Sequence, residues 1–268
     1  IGFVSEKQIM AGKLAKFKLL IVPAAKYIRP EVVDAIRDYT RDGGTTMIIP
    51  ESFIFDQYAR ENSMLSELGF DITDVTLPPV IGEGEKVQNY DQSFSQKILY
   101  GDVLQKITTL NMDIFKGNNP PLTLYSSGLV QSIDPGSHQV IARFEDGKEA
   151  IVFAESGKGG MYYLTAPLRT EDYHTLLSPL ASRIGLNRPV RGIAQDGNLV
   201  TGVEVRAVER EADYLVYACN LTAERVEFDL EVSSGVPGVF MDLRSLHEIP
   251  DRHIRLDPFQ ETIYKIEK

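Results

Sequence analysis

The chain has 268 residues, 43% of them hydrophobic, which is enough material for more than one core. Its 28 Lys and Arg against 38 Asp and Glu give a net charge of −10, which disfavours nucleic acid and anionic membrane surfaces as partners. The single cysteine, Cys219, excludes an intramolecular disulfide and thiolate-cluster metal sites. No apolar run approaches the roughly 20 residues of a membrane helix, and no signal peptide is visible. Because the chain begins at Ile1, we interpret it as a piece of something longer.

Residues 1–76 alternate between strand and helix patterns. The best-defined helix begins at Pro30, which suits a first helical position, and ends before Gly43-Gly44, which supply a left-handed stop. In chain order the predicted elements are strand 1–4, helix 6–15, strand 19–23, helix 30–42, strand 45–50, helix 61–68 and strand 70–75. This alternation predicts a doubly wound open sheet of the flavodoxin-like type, the scaffold also of class I glutamine amidotransferases.

The alternation stops near residue 77. Residues 77–120 are predicted to form an irregular insertion, with short strands around 103–107. Sheet structure then resumes, with strands expected at 122–125, 139–144, 150–155 and 161–165. A last helix is expected from Thr170, because Thr170 suits the N-cap and an apolar stripe runs from Tyr173 to Ile184.

From residue 189 onward, short alternating segments recur every eight to twelve residues or so, which is typical of an all-β domain. The predicted strands are 190–194, 199–209, 213–219, 225–231, 237–243, 253–257 and 261–266. Seven strands suit a small antiparallel β-sandwich. We therefore predict two domains, an α/β domain at 1–188 and a C-terminal β-sandwich at 189–268.

No motif in the sequence identifies a catalytic centre. Cys219 lies in a predicted strand of the second domain, which favours a structural thiol over a nucleophile. Ser52 follows a predicted strand, but its neighbours at 50–54 lack the glycines of a nucleophile elbow. The four histidines contain no i, i+4 pair, and the glycine strings 82–84 and 157–160 match no phosphate-binding motif, so neither a metal nor a cofactor is expected.

The loop after predicted strand 45–50 carries the candidate site, because ligands of open α/β sheets bind at the carboxyl ends of strands. Aromatic and charged side chains alternate there, and the candidates for a substrate rim or an interface are Glu51, Phe53, Phe55, Tyr58 and Arg60. Two alternatives stay open: Phe53 and Phe55 pack under the next helix, and Glu51 and Asp56 are loop caps rather than a carboxylate pair. The lack of Trp counts against an independent sugar-binding module, and the sequon at Asn220-Leu221-Thr222 carries no weight without a secretory context.

Three segments resemble parts of known enzymes. Residues 17–45 and 157–164 resemble the β-galactosidase trimerisation domain of family 42 glycoside hydrolases, and residues 203–220 resemble the small C-terminal β-sandwich that follows it. The resemblance implies that the catalytic residues lie on a preceding N-terminal (β/α)8 barrel and that none of them is in this chain. It also implies a homotrimer, with loop 51–60 near the active-site entrance, and a galactoside or another β-glycoside as substrate.

The sequence thus leads to one main hypothesis and two alternatives. The main hypothesis is a non-catalytic, oligomerising and structural region of a multidomain glycoside hydrolase. Its expected partners are further copies of itself and the catalytic barrel. The alternatives are a carbohydrate-binding accessory module and an independent hydrolase of amidotransferase-like fold that uses Ser52.

Overall fold

The computed structural model describes residues 2–76, 104–110, 121–126, 128–186, 188–197, 199–233, 239–249 and 252–268. The chain divides into two compact units, Ile1–Leu186 and Asn187–Lys268, which we call the α/β unit and the β-sandwich unit. Most of the predicted insertion at 77–120 lies outside the described residues. Within the described ranges, no helix is both long and apolar enough to cross a membrane.

The α/β unit is built around a mixed sheet of seven strands. Its helices are α1 (Glu6–Met10), α2 (Pro30–Arg41), α3 (Met64–Glu67) and α4 (Thr170–Arg183), with a 3-10 helix at Lys13–Lys16. Its strands are β1 (Leu19–Val22), β2 (Thr45–Ile48), β3 (Asp71–Thr76), β4 (Gln105–Thr109), β5 (Thr123–Ser126), β6 (Val130–Asp134), β7 (Gln139–Phe144), β8 (Glu149–Ser156) and β9 (Gly159–Leu164). The large sheet has the order β1-β2-β9-β8-β7-β4-β5, and β3 pairs with β6 in a separate two-stranded sheet.

The strand directions confirm a mixed α/β architecture, while the flavodoxin-like arrangement is not confirmed. Only β1, β2 and β9 are mutually parallel, and every pairing from β9 to β5 is antiparallel. The predicted strand near 70–75 forms as β3, but it pairs antiparallel with β6 outside the large sheet. The strand predicted at 1–4 was wrong, because residues 2–4 precede α1 and do not form a strand.

Each face of the large sheet carries its own hydrophobic core. Along β9, Met161 and Tyr163 belong to one buried cluster, while Tyr162 and Leu164 belong to the other, as expected for alternating side chains. The first cluster is covered by the apolar face of α2, including Val32, Val33 and Ile36, and the second by Leu176 and Leu180 of α4. The helices therefore lie on both sides of the sheet.

The β-sandwich unit consists of two antiparallel sheets. Its strands are β10 (Val190–Ile193), β11 (Val203–Glu209), β12 (Asp213–Asn220), β13 (Val226–Val232), β14 (Phe240–Asp242), β15 (His247–Glu248), β16 (His253–Leu256) and β17 (Glu261–Glu267). They form the sheets β10-β13-β16 and β11-β12-β17-β14-β15. Side chains of both sheets share one buried cluster, with Phe228 and Leu230 from the first and Val216 and Ile266 from the second. This shared core is the hallmark of a sandwich.

Candidate functional site

The three parallel strands β1, β2 and β9 end at one edge of the sheet, which we call the carboxyl edge. Loops 23–29, 49–61 and 165–169 follow these strands. Four non-glycine residues of the first two loops have a left-handed backbone: Ala24 (φ 47°), Glu51 (φ 64°), Phe53 (φ 62°) and Ala59 (φ 60°). Each such residue costs roughly 1 kcal/mol or more, and strain of this kind concentrates at functional sites.

Gln131 of β6 holds the start of loop 49–61 in place. Its Oε1 accepts hydrogen bonds from the backbone N–H of Glu51 at 2.7 Å and from the hydroxyl of Tyr163 at 2.8 Å. Its own backbone N–H donates to Thr165 O at 2.7 Å. Burial raises the pKa of Tyr163, so its hydroxyl stays protonated and remains a donor. Gln131 thereby fixes the strained backbone of Glu51 against the end of β9.

The carboxylate of Glu51 points to the neighbouring loop. Its Oε1 lies 2.5 Å from Nζ of Lys26, in the loop after β1, and both side chains are partly exposed. An ion pair of this exposure contributes at most about 1 kcal/mol to stability. It does, however, join the first two loops of the carboxyl edge and place a charged pair on its surface.

Asp56 closes the tip of loop 49–61. Its carboxylate accepts from the backbone N–H groups of Tyr58 and Arg60, at 2.8 and 3.0 Å, and Arg60 Nε donates to it at 2.8 Å. Burial opposes ionisation of Asp56, but the hydrogen bonds from Arg60 and Tyr58 outweigh it, so the pKa of Asp56 is lowered. The Arg60 guanidinium also lies 5.0 Å from the ring centroid of Tyr58. Asp56 is thus a loop cap, which was one of the two roles left open for it.

The aromatic candidates divide between core and surface. Phe53 is only 1% exposed and belongs to the core cluster under α2, so its side chain does not reach the surface. Phe55 stacks on Tyr27 with ring centroids 5.4 Å apart. Tyr27 and Tyr58 are 58% and 70% exposed. The surface of the carboxyl edge therefore presents Tyr27, Phe55 and Tyr58 beside the Lys26–Glu51 and Asp56–Arg60 ion pairs.

Ser52 does not have the geometry of a nucleophile. It is buried, and its hydroxyl donates to the carbonyl oxygen of Ile49 at 2.6 Å. A second carbonyl, Val22 O, lies at 3.4 Å. The hydroxyl thus satisfies the backbone where β1 and β2 end, which argues against the hydrolase alternative. Among the described residues, no group of three or more His, Cys, Asp or Glu is arranged to hold a metal ion.

Sequence reasoning selected loop 51–60 as the candidate site and did not name the residues that contact it. Lys26, Tyr27 and Gln131 all contribute to the carboxyl edge, but Gln131 is 80 positions from Glu51 along the chain. Tyr27 carried a usable signal, since it lies in the loop that follows β1 and therefore at the same edge as loop 49–61. Gln131 carried none, because strand β6 was not predicted.

The fold has clear counterparts among solved structures. It matches a GH42 β-galactosidase from G. stearothermophilus with a TM-score of 0.69 and 18% identity, over 97% of this chain and 33% of that chain. This chain has the fold of a part of GH42 β-galactosidases. A β-galactosidase from Bacillus circulans sp. alkalophilus (TM-score 0.68, 16% identity, 94% of this chain, 33% of that chain) and an exo-carrageenase GH42 from Bacteroides ovatus (0.51, 13%, 100%, 24%) share it.

The comparison confirms the predicted resemblance at the level of fold. The chain spans about a third of the length of the β-galactosidases that it matches. At identities below 20%, the likeness to these GH42 structures establishes the architecture and leaves activity and substrate open. No protein-family profile and no curated protein matches the sequence.

Proposed function

We propose that this chain is a non-catalytic accessory region of a β-galactosidase-like glycoside hydrolase, which assembles the enzyme as a homotrimer and frames the active site of an N-terminal (β/α)8 barrel. The observation that carries the proposal is the match of nearly the whole chain to about a third of each GH42 β-galactosidase. The remaining two thirds of those chains have room for a catalytic barrel, which takes roughly 250 residues. We further propose that the α/β unit is of the flavodoxin-like type, which the parallel strands β1, β2 and β9 support.

Loop 49–61 is the part of this chain that we propose for the contact with a barrel or a second copy. Its start is fixed at Glu51 by Gln131 and by the ion pair with Lys26, and its tip is fixed by Asp56. It also exposes Tyr58, and tyrosine beside arginine is the composition of many interface anchors. A preorganised, aromatic loop loses little entropy on association.

The test is the mass of the 268-residue chain in solution, measured by light scattering over a dilution series. We expect a species of three times the 29.9 kDa chain mass. Tyr58→Ala should raise the concentration at which it dissociates by about tenfold, the effect of a single interface anchor. Phe259→Ala removes an equally exposed aromatic side chain, 68% exposed, from the β-sandwich unit and should change nothing.

Two results would contradict the proposal. If the chain is a monomer at every concentration, it does not have the oligomerising role. If activity on aryl β-galactosides co-purifies with the chain, its role is not non-catalytic. If Tyr58→Ala and Phe259→Ala both leave a trimer unchanged, the loop is not its contact.

The stacked Tyr27–Phe55 pair favours a second candidate function, carbohydrate binding by the carboxyl edge. Sugar rings pack on exposed aromatic faces such as that of the Tyr27–Phe55 pair. Lys26 and Glu51 at the same edge of the sheet supply groups that can form hydrogen bonds with sugar hydroxyls. Calorimetric titration with galactose and lactose tests it. Binding that disappears in Tyr27→Ala and persists in Phe259→Ala supports this role, and absence of heat with both sugars rejects it.

A further inference from the structure

A concave surface lies at the edge of the large sheet opposite the carboxyl edge, where β2 and β9 begin. It has a volume of about 530 Å³ and is bounded by Thr45 of β2, Gly160 of β9, Glu155 of β8 and the C-terminal end of α4 at Arg183 and Ile184. This volume is in the range of small-molecule sites. Because β2 and β9 run from this edge to the carboxyl edge, the cleft is separate from the candidate site described above. We call it the amino-edge cleft.

Close backbone packing shapes the cleft. A Cβ atom added to Gly159 would lie 2.1 Å from Gly44 O, and one added to Gly157 would lie 2.5 Å from Arg41 O. The turn between β8 and β9 therefore has to be glycine-rich in order to pack on the end of α2. As a consequence, bare backbone lines this part of the cleft and leaves room between the surrounding charged side chains.

The lining is locally positive although the chain carries a net charge of −10. Lys18, Lys158 and Arg183 face Glu155 around the cleft, which gives a local charge of +2. Lys18 has a structural task, since its Nζ donates to Gly185 O at 2.8 Å, just beyond the end of α4. A positive concave site on an acidic molecule concentrates small anions at that place.

Among the described residues, the other three charged groups of the cleft have no ionic partner. In the described part of the chain, Lys158, Arg183 and Glu155 take part in no ion pair within 4.0 Å, whereas arginines such as Arg37, Arg143 and Arg169 are all paired. Arg183 instead lies 5.9 Å from the ring centroid of Phe153, which holds its guanidinium at the cleft wall. Two cations and one carboxylate thus line the same cavity without neutralising each other.

We propose that the amino-edge cleft binds a small organic anion that also carries hydroxyl groups. A phosphate, sulfate or carboxylate group pairs with Arg183 and Lys158, for which charge-assisted hydrogen bonds are the strong ones. Hydroxyl groups donate to the carboxylate of Glu155, which in its ionised form has acceptor atoms and no donor. An inorganic anion without hydroxyl groups can pair with Lys158 and Arg183, but the carboxylate of Glu155 then repels it. A ligand that also carries hydroxyl groups therefore fits the cleft better.

Titration calorimetry on the whole chain tests this, with galactose 6-phosphate, galacturonate, galactose and inorganic phosphate as probes. The two sugar anions should bind, inorganic phosphate should bind more weakly, and neutral galactose should give no heat. Arg183→Gln and Lys158→Gln should each weaken the binding of galactose 6-phosphate by about tenfold. Lys7→Gln removes the same charge from an exposed position that does not line the cleft and should leave binding unchanged.

The Glu155→Gln variant distinguishes the contribution of the ligand's hydroxyl groups to binding from that of its anionic group. It should weaken the binding of galactose 6-phosphate, since a neutral amide oxygen is a weaker acceptor for hydroxyl groups than a carboxylate, and it should strengthen the binding of inorganic phosphate, since it removes a negative charge. Absence of heat with both sugar anions overturns the proposal, and so does an equal loss in Lys7→Gln, which would indicate general charge attraction. Inorganic phosphate binding as tightly as galactose 6-phosphate would overturn the hydroxyl part. All four substituted side chains are exposed, so the variants should fold.

Discussion

At the scale of single residues, Asn220 shows how a surface motif can be a core element. It stands in the sequon Asn220-Leu221-Thr222, yet its side chain is fully buried at the end of β12. Its Nδ2 donates to Glu224 O, Leu256 O and Asp257 O at 2.7, 3.3 and 2.9 Å. Its Oδ1 accepts from the backbone N–H and hydroxyl of Thr222. The amide nitrogen that a glycan would need is therefore engaged inside the fold.

We predict that Asn220→Ala destabilises the β-sandwich unit by about 2–4 kcal/mol, because several buried backbone groups lose their partner at once. N220D should cost more at neutral pH, since a carboxylate would then face three carbonyl oxygens. Urea unfolding followed by circular dichroism measures both. Leu221→Ala, at an exposed neighbouring position, is the control and should stay within about 0.5 kcal/mol. Equal midpoints for Asn220→Ala and the native chain would rule out this role.

At the scale of elements, a histidine joins two strands of the β-sandwich unit. His253 of β16 lies between two carboxylates of β13, with Nδ1 2.9 Å from Asp229 and Nε2 3.5 Å from Glu227. The hydrogen bond to Asp229 raises the pKa of His253, burial opposes this, and Glu227 adds to the increase. The protonated form is therefore favoured by folding.

The sign of the resulting pH dependence follows from the raised pKa. The stabilisation is present in full below the unfolded pKa of about 6.5, and it is lost as the pH rises through the higher folded value. We predict that the unfolding free energy of the native chain falls as the pH rises above about 6.5 and that His253→Gln reduces this slope. His247→Gln is the control, because His247 contacts a backbone carbonyl rather than a carboxylate. A native chain and a His253→Gln variant with the same slope would contradict the prediction.

The glycine turn between β8 and β9 gives a prediction about packing. In Gly159→Ala, the new methyl group would lie 2.1 Å from Gly44 O and 2.4 Å from Thr40 O, so β9 or α2 would have to move. We expect a loss of about 3 kcal/mol or more. Gly136→Ala has an open environment and a positive φ of 49°, so it should cost only about 1 kcal/mol. Thermal unfolding of both variants compares them, and equal losses would show that crowding is not the cause.

The elements that the sequence predicts well are those whose cause is local. Helix α2 begins at Pro30 as expected, and β1 and β2 form within the predicted apolar runs. The pairing of β3 could not be predicted, because its partner β6 lies more than 50 residues away and all six β3 residues are exposed. The candidate site shows the same difference. The position of loop 51–60 follows from that of β2, whereas the hydrogen bond between Gln131 and Glu51 joins segments that are far apart in the sequence.

At the scale of the whole molecule, the two edges of one sheet have different chemistry. The carboxyl edge presents aromatic rings and ion pairs that are already neutralised, which suits contact with a sugar or a protein surface. The amino edge presents a cleft whose charged groups Glu155, Lys158 and Arg183 form no ion pair with the residues that the structure describes, which suits a small ion. Because the two surfaces lie at opposite ends of the paired strands β2 and β9, both can act in the same molecule without competing for space.

The separation into two units gives the last prediction. All described members of the first two core clusters lie within 1–186, and those of the third lie at 190–266. Each unit therefore holds a complete core, which is what independent folding requires. We predict that residues 187–268 produced alone unfold cooperatively in urea and that Asn220→Ala lowers the midpoint as it does in the whole chain. The control is a variant in the other unit, Gly159→Ala, which should leave the transition of the β-sandwich unit in the whole chain unchanged. Broad, non-cooperative unfolding of 187–268 would mean that its stability depends on the α/β unit.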